Sequence, residues 1–370
     1  MFIYFLLLIY LMSSLVLVSF YKNKNFKIVS FSREKKTLLI DELLFDGALL
    51  MIWCLLCFKS IEVGTDTQNY QYMYSAAKEY VEAGLVWKWT NQPLYYLIFA
   101  FLEVTGMSFQ TAMLCIYTVA CMVIYFCIKK YSENKLLTVY LFVVCGGVAF
   151  YMSGVRQMMA MTLGFLAINY LQEKKLLRSL LLIIGSILIH KSAAILLLLL
   201  VLHFFIPTKN QLIIALPLMW GCAILLPKGF IQKLADLSGF ISYEDVIGTS
   251  SNPLLILMYF CVGIYVLYII YNSEWDSPRL RFLTVIFGFS IFLILFSSKF
   301  YMLSRVAYYF LLPQHIVIAQ AVSRIDNKKN KFFVALIIML FAVFYYVSLL
   351  DDATGVVPYE FFWEQGAGWL

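Results

Sequence analysis

The chain is divided almost from end to end into apolar runs of roughly 15 to 23 residues, the length an α-helix needs to cross a hydrocarbon core about 30 Å thick. A transmembrane β-barrel would instead alternate apolar and polar residues over segments of about ten, and no such alternation is present. The residues are 63% hydrophobic and 13% charged, whereas soluble domains run near half apolar and about a quarter charged. The expected fold is therefore all-α: a polytopic transmembrane helical bundle forming a single integral membrane domain over residues 1–370.

Charge sets the expected topology. Lys22, Lys24, Lys27, Arg33, Lys35 and Lys36 follow the first run, and no basic residue precedes it. Residues 2–20 thus read as an uncleaved span with its N-terminus outside, not as a signal peptide. A second span, 43–60, exits into a polar external segment. In 93–107 the apolar core Leu94–Leu102 is too short to cross, and Glu103 interrupts it. This segment reads as an external re-entrant or interfacial helix. Ten further spans follow at 108–128, 136–152, 155–172, 177–190, 192–206, 211–227, 254–272, 280–298, 301–323 and 332–350. About twelve spans with both termini outside put most of the Lys and Arg residues in inside loops, the bias membrane insertion favours. External segments fall at about 61–107, 228–252 and 351–370. If 93–107 crossed as well, the bias would largely reverse.

The net charge of +7 is accounted for by these loops and does not suggest nucleic acid as a partner. All eight cysteines lie in apolar runs and read as small buried hydrophobes. No Walker loop, dinucleotide-binding glycine pattern or zinc-ligand spacing is present, so neither a metal nor a cofactor is expected.

Polar residues that topology does not explain carry the functional argument. Residues 61–74 include Gly64, Thr65, Asp66, Asn69, Tyr70 and Tyr74. A carboxylate, amides, hydroxyls and aromatic faces suit a sugar; the same residues suit a capped interfacial helix. Three external sites carry cations. Arg156, followed by Gln157, opens an apolar helix, where its charge gains nothing from the helix dipole. It reads either as a grip for phosphate or as a snorkelling residue. His190 and Lys191 share a short hairpin, where His190 either acts on a hydroxyl or simply ends a helix. Arg305 lies about a turn inside the 301–323 span, deep enough to need an anionic partner, with Tyr301, Tyr308 and Tyr309 around it. Cations beside sugar-compatible aromatics imply a ligand carrying both phosphate and carbohydrate. An external site without ATP requires a preactivated substrate, and a lipid-linked sugar diphosphate fits.

These segments together resemble a known family. Val63-Gly64-Thr65-Asp66 with Tyr70 resembles the V-G-x-D-x-x-x-Y signature of the EpsG family, the Wzy-like polymerases of capsular and exopolysaccharide clusters. Val155-Arg156-Gln157, His190-Lys191-Ser192-Ala193, Arg305 with Tyr308 and Tyr309, and Val357-Pro358-Tyr359 resemble further motifs of that family in the same order. Members often carry an Arg shortly before V-G-x-D. Here Ile61-Glu62 stand in that place, and the anion contact is either missing or supplied by Lys59.

The resemblance implies a GT-C-like membrane glycosyltransferase in the bacterial cytoplasmic membrane. It would join oligosaccharide repeat units carried on undecaprenyl diphosphate at the outer face, without metal or nucleotide. A chain-length regulator and a flippase are the protein partners such a system implies. Arg156 and Arg305 would bind the diphosphate and stabilise the leaving group. His190 or Asp66 would orient or deprotonate the acceptor hydroxyl, with Asp66 equally readable as a helix cap. Thr65, Tyr70, Tyr74, Gln157, Lys191, Tyr301, Tyr308 and Tyr309 would line the substrate path. The rival readings are an O-antigen-type ligase, a flippase and a membrane O-acetyltransferase.

Overall fold

The computed structural model describes residues 1–23, 31–85, 92–227, 229, 253–299, 302–325 and 328–365. Most of the expected external loop 228–252 and the candidate site residue Tyr301 lie outside these. Among the described residues the chain is helical, with one isolated antiparallel bridge between Lys59 and Phe361.

Helices occupy each expected interval. They are α1 (Phe2–Asn23), α2 (Phe31–Cys57), the external α3 (Thr67–Ser75), α4 (Ala77–Glu82) and α5 (Pro93–Val104), then α6 (Phe109–Tyr131). Next come α7 (Lys135–Val144), α8 (Gly147–Ser153), α9 (Val155–Gln172), α10 (Leu176–Ile189), a 3-10 turn over Lys191–Leu196, α11 (Leu197–Phe204) and α12 (Lys209–Leu225). After these follow α13 (Pro253–Tyr271), α14 (Pro278–Phe296), α15 (Met302–Ala307), a 3-10 turn over Tyr308–Phe310, α16 (Leu311–Ser323) and α17 (Lys328–Asp351). Among the described residues five stretches are long and apolar enough to cross a membrane: Phe2–Phe20, Phe109–Tyr131, Pro278–Phe296, Leu303–Ser323 and Val334–Asp351. The pair α7 and α8, bent by 54°, is either a broken sixth span or a re-entrant loop, and five further apolar stretches are shorter, at 10–17 residues. Large apolar side chains such as Phe2, Val16, Leu43, Phe126, Leu181, Leu225 and Phe332 face outward. In water such a surface would be a liability, whereas hydrocarbon matches it.

Two expected spans are broken. At the α7–α8 junction Gly146 takes φ +81°, a conformation that glycine adopts without steric cost. In the 301–323 span the 3-10 turn at Tyr308–Phe310 separates the short α15 from α16.

The placement of α5 follows from its neighbours. Gln110 near the start of α6 donates to the Cys57 carbonyl at the end of α2, at 2.7 Å. Beyond the other end of α6, Lys135 pairs with Glu42 of α2. The two helices are therefore antiparallel, and the chain joining them starts and finishes at one end of the bundle. A lone twelve-residue α5 in that connection does not cross. It folds back against α4, with Tyr80 and Tyr96 stacked at 5.1 Å.

Candidate functional site

The site is assembled around the loop that leaves α2. Gly64 has φ +95°, and a Cβ there would sit 2.5 Å from the Met152 carbonyl oxygen. Only glycine fits both the conformation and the approach to α8. Beneath the loop Lys59 is 3% exposed. Its Nζ donates to the Val63 carbonyl at 2.6 Å and to Thr67 Oγ1 at 2.7 Å. Burial pulls this amine down to about 7. Lys59 thus holds the loop from below and does not replace the arginine missing before V-G-x-D.

Asp66 occupies the N-cap position of α3, yet its side chain makes no capping bond. The cap reading of Asp66 is corrected on that point: the carboxylate is half-buried and uncommitted to the helix. One turn on, Tyr70 is buried and packs edge-on to Tyr95, ring centroids 6.3 Å apart. The Arg156 guanidinium lies over the same Tyr95 ring, its Cζ 5.5 Å from the centroid. Burial and the Asp66 charge push the Tyr70 phenol up to about 12, against the opposing pull of Arg156 and Arg305.

Arg156 is the second residue of α9, and its Nε is buried without a protein partner. Beside it Gln157 donates through Nε2 to the Arg305 carbonyl at 2.6 Å, tying the start of α9 to α15. His190 sits between α10 and the following 3-10 turn, with Nδ1 buried and unpartnered. Burial, then the charges of Arg156, Arg305 and Lys191, pull this imidazole down to about 4. Three cations from three separate segments therefore act on one histidine. At neutral pH that histidine is a free base.

The expectations for Arg305, Tyr74 and Tyr309 need correction, and the other candidate residues fall as follows. Arg305 is exposed, not buried inside a continuous helix, because the break after α15 brings it to the surface. Tyr74 is packed against Phe99 and Phe109, and its hydroxyl donates to the Met107 carbonyl at 2.7 Å, so it braces the external segment. Tyr309 is fully buried, with its hydroxyl 3.1 Å from Ser192 Oγ. Tyr308 stacks on Phe150 at 4.2 Å. Thr65 is exposed, and its backbone N–H donates to the Thr354 carbonyl at 3.1 Å. Lys299, before α15, donates to the Ala223 and Ile224 carbonyls at 2.9 and 2.6 Å and so closes the C-terminus of α12. Among the described residues no group of three or more His, Cys, Asp or Glu is arranged to hold a metal ion.

The structure also adds residues the sequence did not single out. Tyr95 supplies the surface shared by Tyr70 and Arg156. Gln92 caps α5 with φ +55° and leaves its Oε1 buried and unpartnered. Residues 352–362, of which the sequence flagged only Val357-Pro358-Tyr359, lie directly against the Gly64 loop.

Fold and site define a helical multi-pass membrane protein in which cations that form no ion pair among the described residues, a carboxylate and a neutral imidazole lie at one end of the bundle. The EpsG family model matches residues 43–361, and the chain belongs to that family, which is associated with polysaccharide polymerase activity. No curated protein and no solved structure matches the chain.

Proposed function

We propose that this protein is a glycosyltransferase that polymerises oligosaccharide repeat units at the outer face of the bacterial cytoplasmic membrane. Its donor is a glycan on undecaprenyl diphosphate, and its acceptor is the non-reducing end of a second lipid-linked unit. The observation that carries this reading is the convergence of Arg156, Arg305 and Lys191 on His190, with Asp66 and Tyr70 alongside. The fold we propose is GT-C-like, with about twelve crossings, the shorter apolar helices included, and both termini outside.

In the reaction the bond from the anomeric carbon to the diphosphate oxygen breaks as the acceptor hydroxyl oxygen bonds to that carbon. The electron pair leaves with undecaprenyl diphosphate. Arg156 and Arg305 neutralise the charge that develops on it, donors aimed at the place where charge grows. The acceptor proton passes to His190, whose lowered basicity keeps it unprotonated and ready, or to Asp66. Lys191 completes the polar wall, with Gln157 and Tyr70 packed behind it, and Tyr308 offers an aromatic edge to the sugars.

Purified protein supplied with lipid-linked repeat units tests the reading. Chain extension without ATP or added divalent metal is expected. A strict requirement for either, or transport of the units without any new glycosidic bond, contradicts it.

A further inference from the structure

The loop carrying Asp66 has no helix of its own between Cys57 and Thr67. Its backbone is held by a distant segment. The Gly64 N–H donates to the Gly355 carbonyl at 2.6 Å, Thr65 N–H to Thr354 at 3.1 Å, and Ser60 N–H to Glu360 at 2.8 Å. In return Phe362 N–H donates to the Phe58 carbonyl at 3.0 Å. Gly355 lies so close that a Cβ there would meet the Thr65 nitrogen at 3.2 Å. The Thr354 carbonyl also accepts from Ser153 Oγ at 2.6 Å. Ser153 ends α8, three residues before Arg156. One carbonyl therefore joins the Asp66 loop to the approach of the Arg156 helix.

This strap is shaped at its root by Asp352. That residue follows α17 with φ +42°, and its Oδ1 accepts from the N–H groups of Val356 at 2.8 Å and Val357 at 3.0 Å. Two further bonds pin the strap to the bundle. The Tyr4 hydroxyl donates to the Val356 carbonyl at 2.8 Å, and the Tyr359 hydroxyl donates to the Leu55 carbonyl at 3.0 Å.

We propose that residues 352–362 form a strap that positions the active site, fixing the Asp66 loop against the start of α9, with Asp352 as the positioning residue that sets the strap's turn. This rests on the role given above to Asp66. Asp352 acts through its oxygen acceptor and its tolerance of the left-handed backbone, not through its charge. Asparagine offers both properties. Alanine offers neither, and glycine offers only the second.

The test uses the full chain in lipid nanodiscs. It reads amide hydrogen exchange over residues 60–67 together with extension of lipid-linked repeat units. In Asp352→Ala and Asp352→Gly, exchange over 60–67 rises roughly tenfold or more, as expected for losing two hydrogen bonds to the Asp352 side-chain oxygen. The kcat for extension falls by a comparable factor, while KM for the donor stays near that of the unaltered protein because Arg156 and Arg305 remain in place. Asp352→Asn restores both readouts. The strap role is overturned if exchange over 60–67 is unchanged in Asp352→Ala, or if the loop is freed with kcat intact. Restoration by Asp352→Gly would also overturn it, by reducing Asp352 to a backbone conformation. Arg156→Ala run alongside separates this result from the polymerase reading. Normal extension by that variant sinks the reading, whereas the exchange data still report on the strap.

Discussion

The two ends of this bundle carry charge in opposite ways. At one end five of the cations meet carboxylates among the described residues. Lys129 and Lys135 meet Glu42, Lys130 and Lys175 meet Glu173, and Arg324 meets Glu133. Arg279 lies over the Tyr131 ring and Arg324 over Trp275, 4.3 and 4.4 Å from their centroids. That end even holds a cavity of about 300 Å³, lined by Lys130, Glu133 and Arg279 among others. At the other end Arg156, Arg305 and Lys191 gather around His190, and none of them forms an ion pair with a carboxylate among the described residues. Paired charges on a membrane protein satisfy topology and hold loops together. Unpaired ones beside a neutral histidine, with the half-buried Arg156 among them, leave room for an anion to bind. Carboxylate partners for the cations, more than cavity volume, distinguish the two ends.

The contrast can be broken most directly at the arginines. Arg156→Ala and Arg305→Ala should each cut polymerisation on the order of 10²- to 10³-fold, the loss typical when one preorganised charge-stabilising donor is removed. Single lipid-linked units should accumulate at the outer face of the membrane; gel analysis of surface glycan reads the lost polymer and lipid extraction reads the single units. Unchanged chain length would remove these residues from the mechanism.

Gly64→Ala should come next. The added Cβ collides with Met152 and forces an unfavourable φ, at a cost of roughly 1–3 kcal/mol for the strain alone. The expected result is lost polymer with the helices intact by circular dichroism.

The histidine makes a signed prediction. Folded protein keeps His190 neutral down to about pH 4, whereas an unfolded chain protonates it near 6.5. Its contribution therefore destabilises the fold as pH drops through that window and is silent above it. A bound diphosphate offsets the arginines and should raise the imidazole back toward its ordinary value. NMR titration of His190 with and without pyrophosphate checks the direction, and a fall on binding would contradict the account.

The smallest effects belong to the paired end. Lys130→Ala or Arg324→Ala should alter stability by about 0–1 kcal/mol and leave chain extension near normal. The sidedness itself is checked by cysteine labelling from outside in an otherwise cysteine-free chain. A cysteine at exposed Ser75 should react, and one at exposed Arg178 should not. Ser132 is a poor reporter, because it is buried.

Much of this was legible in the chain because bilayer physics writes it in long runs. The interval 155–172 coincides with α9, and the non-crossing of 93–107 follows from its short apolar core and from charge parity. Helix breaks were less legible. Apolar periodicity over residues 301–323 does not mark the 3-10 turn at Tyr308, although Pro313, which cannot donate to the Tyr309 carbonyl, is a signal for it; a continuous helix puts Arg305 too deep. Aromatic roles were also hidden. Tyr70 and Tyr74 share a helix face, yet only the contacts separate a tyrosine beside Arg156 from one spent on the Met107 carbonyl. The strap was least visible, since backbone hydrogen bonds between residues 60–65 and 354–360 leave almost no trace in side-chain identity beyond Gly64, Gly355 and Asp352.

The central claim is that the unpaired end grips a diphosphate. Calorimetry with a short-chain isoprenyl diphosphate and the purified protein in nanodiscs tests it. Binding should weaken by on the order of 100-fold in Arg156→Ala and in Arg305→Ala, and stay the same in Lys130→Ala and Arg279→Ala at the opposite end. Affinity that survives loss of both site arginines, or that disappears with the paired cations instead, would contradict the account.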